Sequence, residues 1–301
     1  MKGGLLAGLS DDLADAVEKA GRHLVRVNAR RRIPASGIVW STDGLLVTAD
    51  HVVETEEGIT VGLPDGREVA ARVLGRDPGT DLALLRAAAT DLVPAEVAEG
   101  EVRVGNLVLA VARPGSGGAM ATVGVVSAVG GPWRTWRGGL LESLIQADVT
   151  LYPGFSGGAL VDAAGRMVGM NTSLLARGVS VAVPVPTVQR IAQALLAQGR
   201  VRRGYLGVST QPVALPAALA SRLGLAQQSG LLVVGVEPGG PADRGGVILG
   251  DVLVAMDGRQ VRDPDELQGL LGPERVGVPT SVRLIRGGEL CDVTVEVGER
   301  P

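Results

Sequence analysis

Short apolar runs separated by turn signals fill the chain between residues 24 and 183. Glycine, proline and aspartate supply the breaks, as in Asp43-Gly44 and Pro64-Asp65-Gly66. Short strands at this spacing, without helical patterns between them, predict a mainly β domain built as an antiparallel barrel or sandwich. The predicted strands are Leu24 to Val27, Gly37 to Trp40, Leu45 to Thr48, Ile59 to Leu63, Arg67 to Val73, Leu82 to Arg86, Leu107 to Ala112, Thr122 to Val129, Leu141 to Ala147, Ala159 to Val161, Met167 to Thr172 and Ser180 to Val183.

A helical pattern precedes these strands. Ser10 has the character of an N-cap, Asp11 and Asp12 fall in the first turn, and Gly21 ends the apolar periodicity. We therefore predict an N-terminal helix within residues 1–22.

The pattern changes again after residue 185. Thr187 to Gly199 carries apolar residues on one helical face, and the charged segment Arg200 to Arg203 follows as a hinge. Beyond it, strands alternate with one clear helix, which starts at Asp263-Pro264 and runs to Leu271. These strands are Tyr205 to Thr210, Gly230 to Val236, Asp251 to Met256, Thr280 to Ile285 and Asp292 to Val297. The predicted boundaries are 23–185 for the β domain, 186–202 for the helix and hinge, and 203–301 for a small α+β domain.

Composition and charge narrow the function classes. The 301 residues suffice for roughly two domains, and with 46% hydrophobic but only 2% aromatic residues the cores must be aliphatic. The net charge is -3, with no basic run beyond Arg30-Arg31-Arg32, which argues against a nucleic-acid partner. Cys291 is the single cysteine and there are two histidines, so we expect no intrachain disulfide, no metal site and no cofactor.

The N-terminal apolar run, Gly3 to Leu9, is too short for a spanning helix and has no clear cleavage site. As written, the chain is predicted to be cytoplasmic.

A glycine-rich turn, Tyr152-Pro-Gly-Phe-Ser-Gly-Gly-Ala159, presents one serine, Ser156. Glycine leaves backbone N–H groups unshielded, and amides around a hydroxyl suit acyl transfer because they can stabilise the oxyanion that forms. A plain hairpin turn is the alternative.

A serine nucleophile needs a base. His51 lies where an apolar strand ends, whereas His23 has the context of a surface histidine. Asp81 heads a buried strand, and a carboxylate there needs a hydrogen-bond partner, which an imidazole N–H would supply. Asp77 is more simply a turn aspartate before a proline. The order His51, Asp81, Ser156 is that of the chymotrypsin-like triad, although a packed structural role for His51 stays open.

Several short motifs follow one another in a specific order. They are Ser36 to Val53, Thr80 to Leu85, Ile145 to Asp148, Gly154 to Leu160 and Val181 to Pro184. Together they resemble the HtrA/Deg family of trypsin-like serine proteases, over residues 23 to 200. The resemblance implies a chymotrypsin-like double β-barrel with His51, Asp81 and Ser156 as the catalytic triad. It implies the backbone N–H groups of Gly154 and Ser156 as oxyanion donors.

The chain departs from this family next to the serine. Phe155 stands where the family usually has Asn. An Asn side chain can make polar contacts that fix the oxyanion loop, and phenylalanine cannot. The structure therefore has to show whether the resting loop is in the active conformation. Thr150 stands where arginine- and lysine-selective trypsins keep an acid, so we expect cleavage after small or medium apolar residues. The predicted substrate pocket is formed by Thr150, Leu151, Tyr152, Asn171, Thr172 and Ser173.

Trp133 and Trp136 alternate with Arg134 and Arg137 in a glycine-flanked stretch. Aromatic cover for the end of a barrel is one interpretation. The resemblance suggests another, a regulatory loop that senses the second domain.

The segments Gly204 to Val208, Gly239 to Ala242 and Leu249 to Gly258 resemble bacterial PDZ domains. The resemblance implies that loop amides hold a terminal carboxylate and that the peptide adds as a β-strand. The predicted peptide-binding residues are Tyr205, Leu206, Gly207, Val208, Leu267 and Leu271. A small module without a ligand is the alternative.

The leading functional prediction is a serine endopeptidase of protein quality control that cleaves unfolded or damaged proteins and recognises C-terminal peptides through its PDZ domain. The alternative is a catalytically impaired peptide-binding or chaperone-like protein. The family also suggests a homotrimer, which here would have to use Leu5, Leu6 and Leu9 because no aromatic residue precedes Trp40. By family resemblance, a periplasmic or extracytoplasmic location is the alternative to the cytoplasm.

Overall fold

The chain forms two units, Met1–Val201 and Arg202–Pro301. They are seen in a computed structural model, which describes residues 4–31, 33–131, 133–134, 140–141, 143–176 and 178–300. Trp136 and Arg137 of the predicted regulatory stretch lie outside these residues. No helix in the described ranges combines the length and the apolar character needed to cross a bilayer.

The first unit is built mostly from short strands. Its elements are α1 (Leu5–Gly21), β1 (Leu24–Asn28), β2 (Ala35–Val39), β3 (Leu45–Thr48), β4 (Thr60–Gly62), β5 (Glu68–Asp77), β6 (Leu82–Ala87), β7 (Leu107–Ala112), β8 (Met120–Gly130), β9 (Trp133–Arg134), β10 (Leu140–Leu141), β11 (Leu144–Ala147), β12 (Ala159–Asp162), β13 (Met167–Thr172), β14 (Ser180–Pro184) and α2 (Val185–Gln198). A turn of 3₁₀ helix covers Asp50–Val52.

Antiparallel pairing closes these strands into barrels, as the strand pattern predicts. In the part of the chain that the structure describes, one closed barrel has the order β1-β2-β3-β6-β5-β4 and a second has the order β11-β14-β13-β12-β7-β8. Buried Val, Leu, Ile and Ala side chains fill both interiors. The expected mainly β double barrel is confirmed.

The N-terminal helix is longer than predicted. It begins at Leu5 with Gly4 as its N-cap, so the assignment of Ser10 as the cap is wrong. Leu6 and Ala7 are good helix formers, and Ser10 sits within the helix without interrupting it.

The helix after the second barrel begins at Val185, because Pro186 fits in a first turn, where its missing N–H has no partner to lose. It ends as predicted at Gly199, which is left-handed at φ 70° and donates its N–H to the Leu195 carbonyl.

The second unit is a sheet with short helices. Its elements are β15 (Gly204–Tyr205), β16 (Val208–Ala214), α3 (Ala217–Arg222), β17 (Ser229–Val236), α4 (Pro241–Arg244), β18 (Val252–Met256), β19 (Arg259–Gln260), α5 (Pro264–Gly269), β20 (Pro279–Arg286), β21 (Glu289–Glu296) and β22 (Gly298–Glu299), with a 3₁₀ turn at Pro273–Arg275. The main sheet has the order β16-β17-β18-β20-β21, which leaves β16 at an edge.

The predicted helix at Asp263 is present, and the Asp263 carboxylate caps it by accepting the Glu266 N–H. The expectation of one helix in this unit is wrong, since α3 and α4 are also formed. Both are too short to show a helical period in the sequence.

Candidate active site and peptide groove

His51 and Asp81 meet because the strands that precede and follow them are paired. β3 leads to His51, β6 follows Asp81, and Thr48 of β3 lies opposite Ala83 of β6. The His51 Nδ1 lies 2.8 and 3.0 Å from the two Asp81 carboxylate oxygens, and the His51 backbone N–H donates to Oδ1 at 2.9 Å. The expectation that an imidazole partners this carboxylate is met.

The Asp81 side chain is fully buried, with no exposed surface. Besides the two groups of His51, the Thr172 hydroxyl donates to Oδ2. Asp81 adopts a left-handed backbone conformation, with φ of 56°, that asparagine and aspartate tolerate better than most residues. These donors satisfy the hydrogen-bonding capacity of the buried carboxylate and fix it beside the imidazole.

Ser156 sits in the loop between β11 and β12 and is 6% exposed. Its hydroxyl lies 3.1 Å from the Ser173 hydroxyl and accepts the Ser173 N–H at 3.3 Å. Across the described ranges, no hydrogen bond joins the Ser156 hydroxyl to His51. The His51 imidazole is thus paired with the Asp81 carboxylate, while the Ser156 hydroxyl is paired with a neighbouring serine.

Glycine is required at the turns that flank this serine. Gly154 has φ of 90°, and a Cβ on it would lie 2.4 Å from Cβ of Pro114 and 2.8 Å from the Pro34 carbonyl oxygen. Gly157 has φ of 81°, and a Cβ there would lie 2.2 Å from the Ser36 carbonyl oxygen. The backbone therefore passes through spaces that no side chain can share.

The N–H groups of Gly154 and Ser156 are available to a ligand. Within the part of the chain that the structure describes, neither donates a hydrogen bond. By contrast, the intervening Phe155 N–H bonds to the Tyr152 carbonyl, and the Gly157 N–H bonds to the Asn171 carbonyl. Free donors on either side of the serine are what an oxyanion site needs.

Phe155 anchors the loop through apolar contacts. Its ring is fully buried and packs edge-on to Tyr152, with ring centroids 5.7 Å apart and an interplanar angle of 73°. It belongs to the second barrel's apolar core, with Leu160 and Val149. Burial of an aromatic ring stabilises by about 2 kcal/mol or more, so at position 155 an apolar support replaces the polar side-chain contacts of an asparagine.

A groove in the second unit lies between the edge strand β16 and α5. It has a volume of about 130 Å³ and is lined mainly by the turn before β16, by α5 and by two arginines. Leu206, Leu267 and Leu271 are buried along it, and Gly207 has φ of 77°. The lining residues are Arg203, Gly204, Tyr205, Leu206, Gly207, Val208, Thr210, Pro264, Leu267, Gln268, Leu271 and Arg300. All six predicted peptide-binding residues are among them.

Known proteins match each of the two units. Residues 35–170 match the trypsin-like peptidase domain, and residues 204–297 match the PDZ domain. A solved structure described as HtrA-type protease AlgW with decapeptide is 32% identical and superposes with a TM-score of 0.79, covering 96% of this chain and 99% of that one. The chain belongs to the HtrA family of serine proteases.

Curated relatives of this HtrA protein are named as periplasmic enzymes. A probable periplasmic serine endoprotease DegP-like from Halomonas elongata is 36% identical over 277 residues, covering 90% of this chain. The match covers 57% of that relative, so the HtrA chain here spans little more than half its length. A DegP-like relative from Hahella chejuensis is also 36% identical and is covered to 63%. These names favour the periplasmic alternative, and the cytoplasmic prediction finds no support.

Two predicted pocket residues of the HtrA protein have side chains that point elsewhere. Asn171 is 1% exposed and donates its amide N–H to the Ala159 carbonyl, and the Thr172 side chain is fully buried against Asp81. Their side chains therefore do not line a pocket, which corrects the prediction. Thr150, Tyr152 and Ser173 are exposed, and Leu151 is half-buried.

His23 is also placed differently from its prediction. It is 6% exposed, and its Nδ1 lies 3.0 Å from the Val93 carbonyl oxygen, so it is a buried histidine, not a surface one. The burial of His23 could not be predicted from its sequence context because its partner, Val93, is 70 residues away in the chain.

Proposed function

We propose that this chain is a serine endopeptidase that cleaves unfolded or damaged proteins, with Ser156 as nucleophile, His51 as general base and Asp81 as the group that orients it. The observation that carries the proposal is the His51 Nδ1 to Asp81 contact at 2.8 Å. Such a contact fixes the tautomer in which Nε2 is free to take a proton.

The reaction begins when the Ser156 hydroxyl exchanges its contact with Ser173 for one with His51. The net free energy of one such hydrogen bond is about 1 kcal/mol, so the exchange is small beside the barrier of the reaction. Ser156 Oγ then attacks the scissile carbonyl carbon as His51 takes the hydroxyl proton. The N–H groups of Gly154 and Ser156 stabilise the resulting oxyanion. His51 returns the proton to the leaving amine, and water releases the acyl group by the reverse sequence.

Selectivity for small or medium apolar residues before the cleaved bond is part of the proposal. Thr150 occupies the position where an acid would select arginine or lysine, and Leu151 adds an apolar surface beside it. A peptide library should give products cut after Val, Ala, Ile or Leu. Products cut mainly after Arg or Lys would contradict this selectivity.

The groove of the second unit is proposed to bind the C-terminus of a polypeptide. Support comes from the open edge of β16, the leucine floor formed by Leu206, Leu267 and Leu271, and the positive charge of Arg300. An apolar C-terminal residue fits this floor, and its carboxylate would meet the N–H groups of the turn at Gly207. Blocking the peptide's carboxylate with an amide should weaken binding, measured by fluorescence anisotropy.

The proposal extends to compartment and assembly. The relatives' names support the periplasm, which cell fractionation tests. Leu6 and Leu9 are exposed on α1, at 81% and 46%, and could contribute to a homotrimer, which light scattering of the purified protein tests.

The activity is tested with a fluorophosphonate probe and an unfolded protein substrate. Wild-type protein should be labelled and should degrade the substrate, with or without an added C-terminal peptide, and Ser156→Ala should do neither. Absence of Ser156-dependent labelling in all conditions would favour the catalytically impaired, peptide-binding alternative.

A further inference from the structure

Ser36 connects the first barrel to the loop that carries the proposed nucleophile. It lies in β2 and is fully buried. Its hydroxyl donates to the Gly154 carbonyl oxygen at 2.8 Å, and its backbone N–H donates to the Ser156 carbonyl oxygen at 3.3 Å. One residue thus holds the loop at two points. The first of them, Gly154, lies 118 positions after Ser36 in the chain.

The two carbonyl groups that Ser36 holds belong to the same two residues whose N–H groups are the proposed oxyanion donors, Gly154 and Ser156. A hydrogen bond to a carbonyl holds the peptide plane that follows its residue, and the N–H of that residue, one Cα away, can then be re-aimed only by changes in φ and ψ at that Cα. We propose that Ser36 is a positioning residue, whose hydroxyl holds the oxyanion loop in its catalytic conformation.

The surroundings of the hydroxyl give it a defined direction. The Arg113 backbone N–H donates to Ser36 Oγ at 2.8 Å, which leaves the hydroxyl proton for Gly154. Arg113 is itself held, because its guanidinium donates to the Leu24 and Gly21 carbonyl oxygens, each at 2.9 Å. Burial lowers the pKa of this arginine below its ordinary value. The hydroxyl therefore belongs to a buried chain of satisfied bonds and has no solvent competitor.

The β2 strand is fixed around Ser36 as well. The Thr48 hydroxyl donates to the Ser36 carbonyl oxygen at 2.7 Å. Gly157 passes close to the same carbonyl, which is why no side chain is tolerated there. Ser36 therefore acts from a rigid strand, and a catalytic group is positioned best when its support does not move.

Glycine at position 154 makes such support necessary. A glycine loses more conformational freedom on ordering than any other residue, and its φ and ψ are not restricted by a Cβ. Phe155 holds the middle of the loop by burial, but a buried ring does not set the direction of the neighbouring carbonyl groups. The Ser36 hydroxyl holds one side of the Gly154–Phe155 peptide plane through the Gly154 carbonyl, and the bond from the Phe155 N–H to the Tyr152 carbonyl holds the other side.

Ser36→Ala tests the proposal, which rests on the proposed function of Ser156. Loss of one oxyanion donor reduces kcat by about 100- to 1,000-fold. Because Ser36→Ala would misdirect the donor without deleting it, we expect kcat to fall by about 10- to 100-fold. KM should change little, and the affinity for a peptide boronate, which mimics the tetrahedral intermediate, should fall by the same factor as kcat. The pH dependence of kcat should not move, because His51 and Asp81 are untouched.

Val61→Ala is the matched control. Val61 is fully buried in β4 of the same barrel, and its truncation should destabilise the protein without contacting the loop. Equal losses of kcat in Ser36→Ala and Val61→Ala, or a Ser36→Ala kcat within about twofold of wild type, would overturn the proposal. If Ser36→Ala does not fold, Ser36→Cys takes its place, since a thiol donates only weakly, although its sulfur is larger than the hydroxyl oxygen. The same fall in kcat is expected, and wild-type kcat in that variant would overturn the proposal.

If the proposed function of Ser156 is wrong, the result differs from the one that contradicts only the role of Ser36. In that case wild-type protein would show no Ser156-dependent labelling at all. Ser156-dependent activity that persists unchanged in Ser36→Ala would contradict only the role of Ser36.

Discussion

The two sides of the candidate active site are assembled differently. On one side, His51 and Asp81 are in direct contact through two atoms of the histidine, and Thr172 completes the donors around the carboxylate. On the other side, Ser156 contacts Ser173 and not the base, in the described part of the chain. The proposed general base is therefore already paired with its carboxylate, whereas the proposed nucleophile has to leave one partner to reach another.

This difference follows from how each side is supported. His51 and Asp81 lie at the adjacent ends of paired strands, β3 and β6, so the register of the sheet already brings them together. Ser156 lies on a glycine-rich loop whose conformation depends on groups from other elements. An acid–base pair can thus be built from local pairing, and a nucleophile with its oxyanion donors needs support from both barrels.

The largest expected effect comes from removing the nucleophile. Ser156→Ala should reduce kcat by about 10⁶-fold, because the covalent step is lost. Single-turnover assays with an unfolded substrate measure it, with Ser127→Ala, an exposed serine of β8, as the control. Persistent activity in Ser156→Ala would mean that the nucleophile is another residue. The contrast between the His51–Asp81 pair and Ser156 would then have no bearing on catalysis.

Replacing the carboxylate tests the preassembled side. Asp81→Asn should reduce kcat by about 10⁴-fold, because an amide at this position favours the wrong imidazole tautomer. Asparagine is compatible with the left-handed backbone there, so the fold should be retained. Steady-state kinetics measure kcat, and circular dichroism checks that the fold is retained.

The control for Asp81→Asn is Asp77→Asn, which alters a buried carboxylate at the end of β5. Asp77 accepts the Thr80 hydroxyl at 2.6 Å and does not bond to His51. Its substitution should change kcat by less than about tenfold. Equal losses in both variants would mean that Asp81 acts through stability alone.

Thr172→Val sharpens the role of the third donor. The substitution keeps the shape of the side chain but removes the hydroxyl that Asp81 Oδ2 accepts, and kcat/KM should fall by about 10- to 100-fold, the usual range for a hydrogen bond to a charged group. Thr172→Ser keeps the hydroxyl and should stay near wild type. A loss in the serine variant as large as in the valine variant would show that packing, not the hydrogen bond, matters at this position.

The smallest effect is expected at Ser173, and its direction is opposite. Ser173→Ala removes the hydroxyl that pairs with Ser156, so the resting serine should turn to His51 more readily. The rate of labelling by a fluorophosphonate should rise by about two- to tenfold, the equivalent of one neutral hydrogen bond. The Ser173 N–H remains as a donor to Ser156, which limits the gain. A labelling rate that stays equal or falls would mean that the pairing with Ser173 does not hold the serine back.

The strands and the acid–base side were predictable because their signals are local. Alternating turn residues and apolar runs mark the barrels, and an aspartate that heads a buried strand requires a partner, for which His51 was the natural candidate. The same reasoning assigned Asn171 and Thr172 to the pocket, which is wrong for their side chains. Position in a motif does not show which way a side chain points.

The nucleophile side could not be predicted to the same depth. The contacts of Ser36 with Gly154 and of Ser156 with Ser173 join separate elements and leave no periodic signal in the sequence. The sequence marks Phe155 as a departure from the pattern that the family resemblance implies, but its effect depends on a core that only the folded barrel provides. Burial explains how the loop is supported without the polar contacts of an asparagine.

The bond between Ser36 and Gly154 also has a consequence for the order in which the protein is made. The chain is synthesised from its N-terminus, so β2 leaves the ribosome long before the serine loop, which follows 118 residues later. The loop can take up its supported conformation only after the first barrel has folded and the second has closed against it. A nascent or half-folded copy therefore lacks an organised loop around Ser156, and the proposed activity begins only when its own folding is complete.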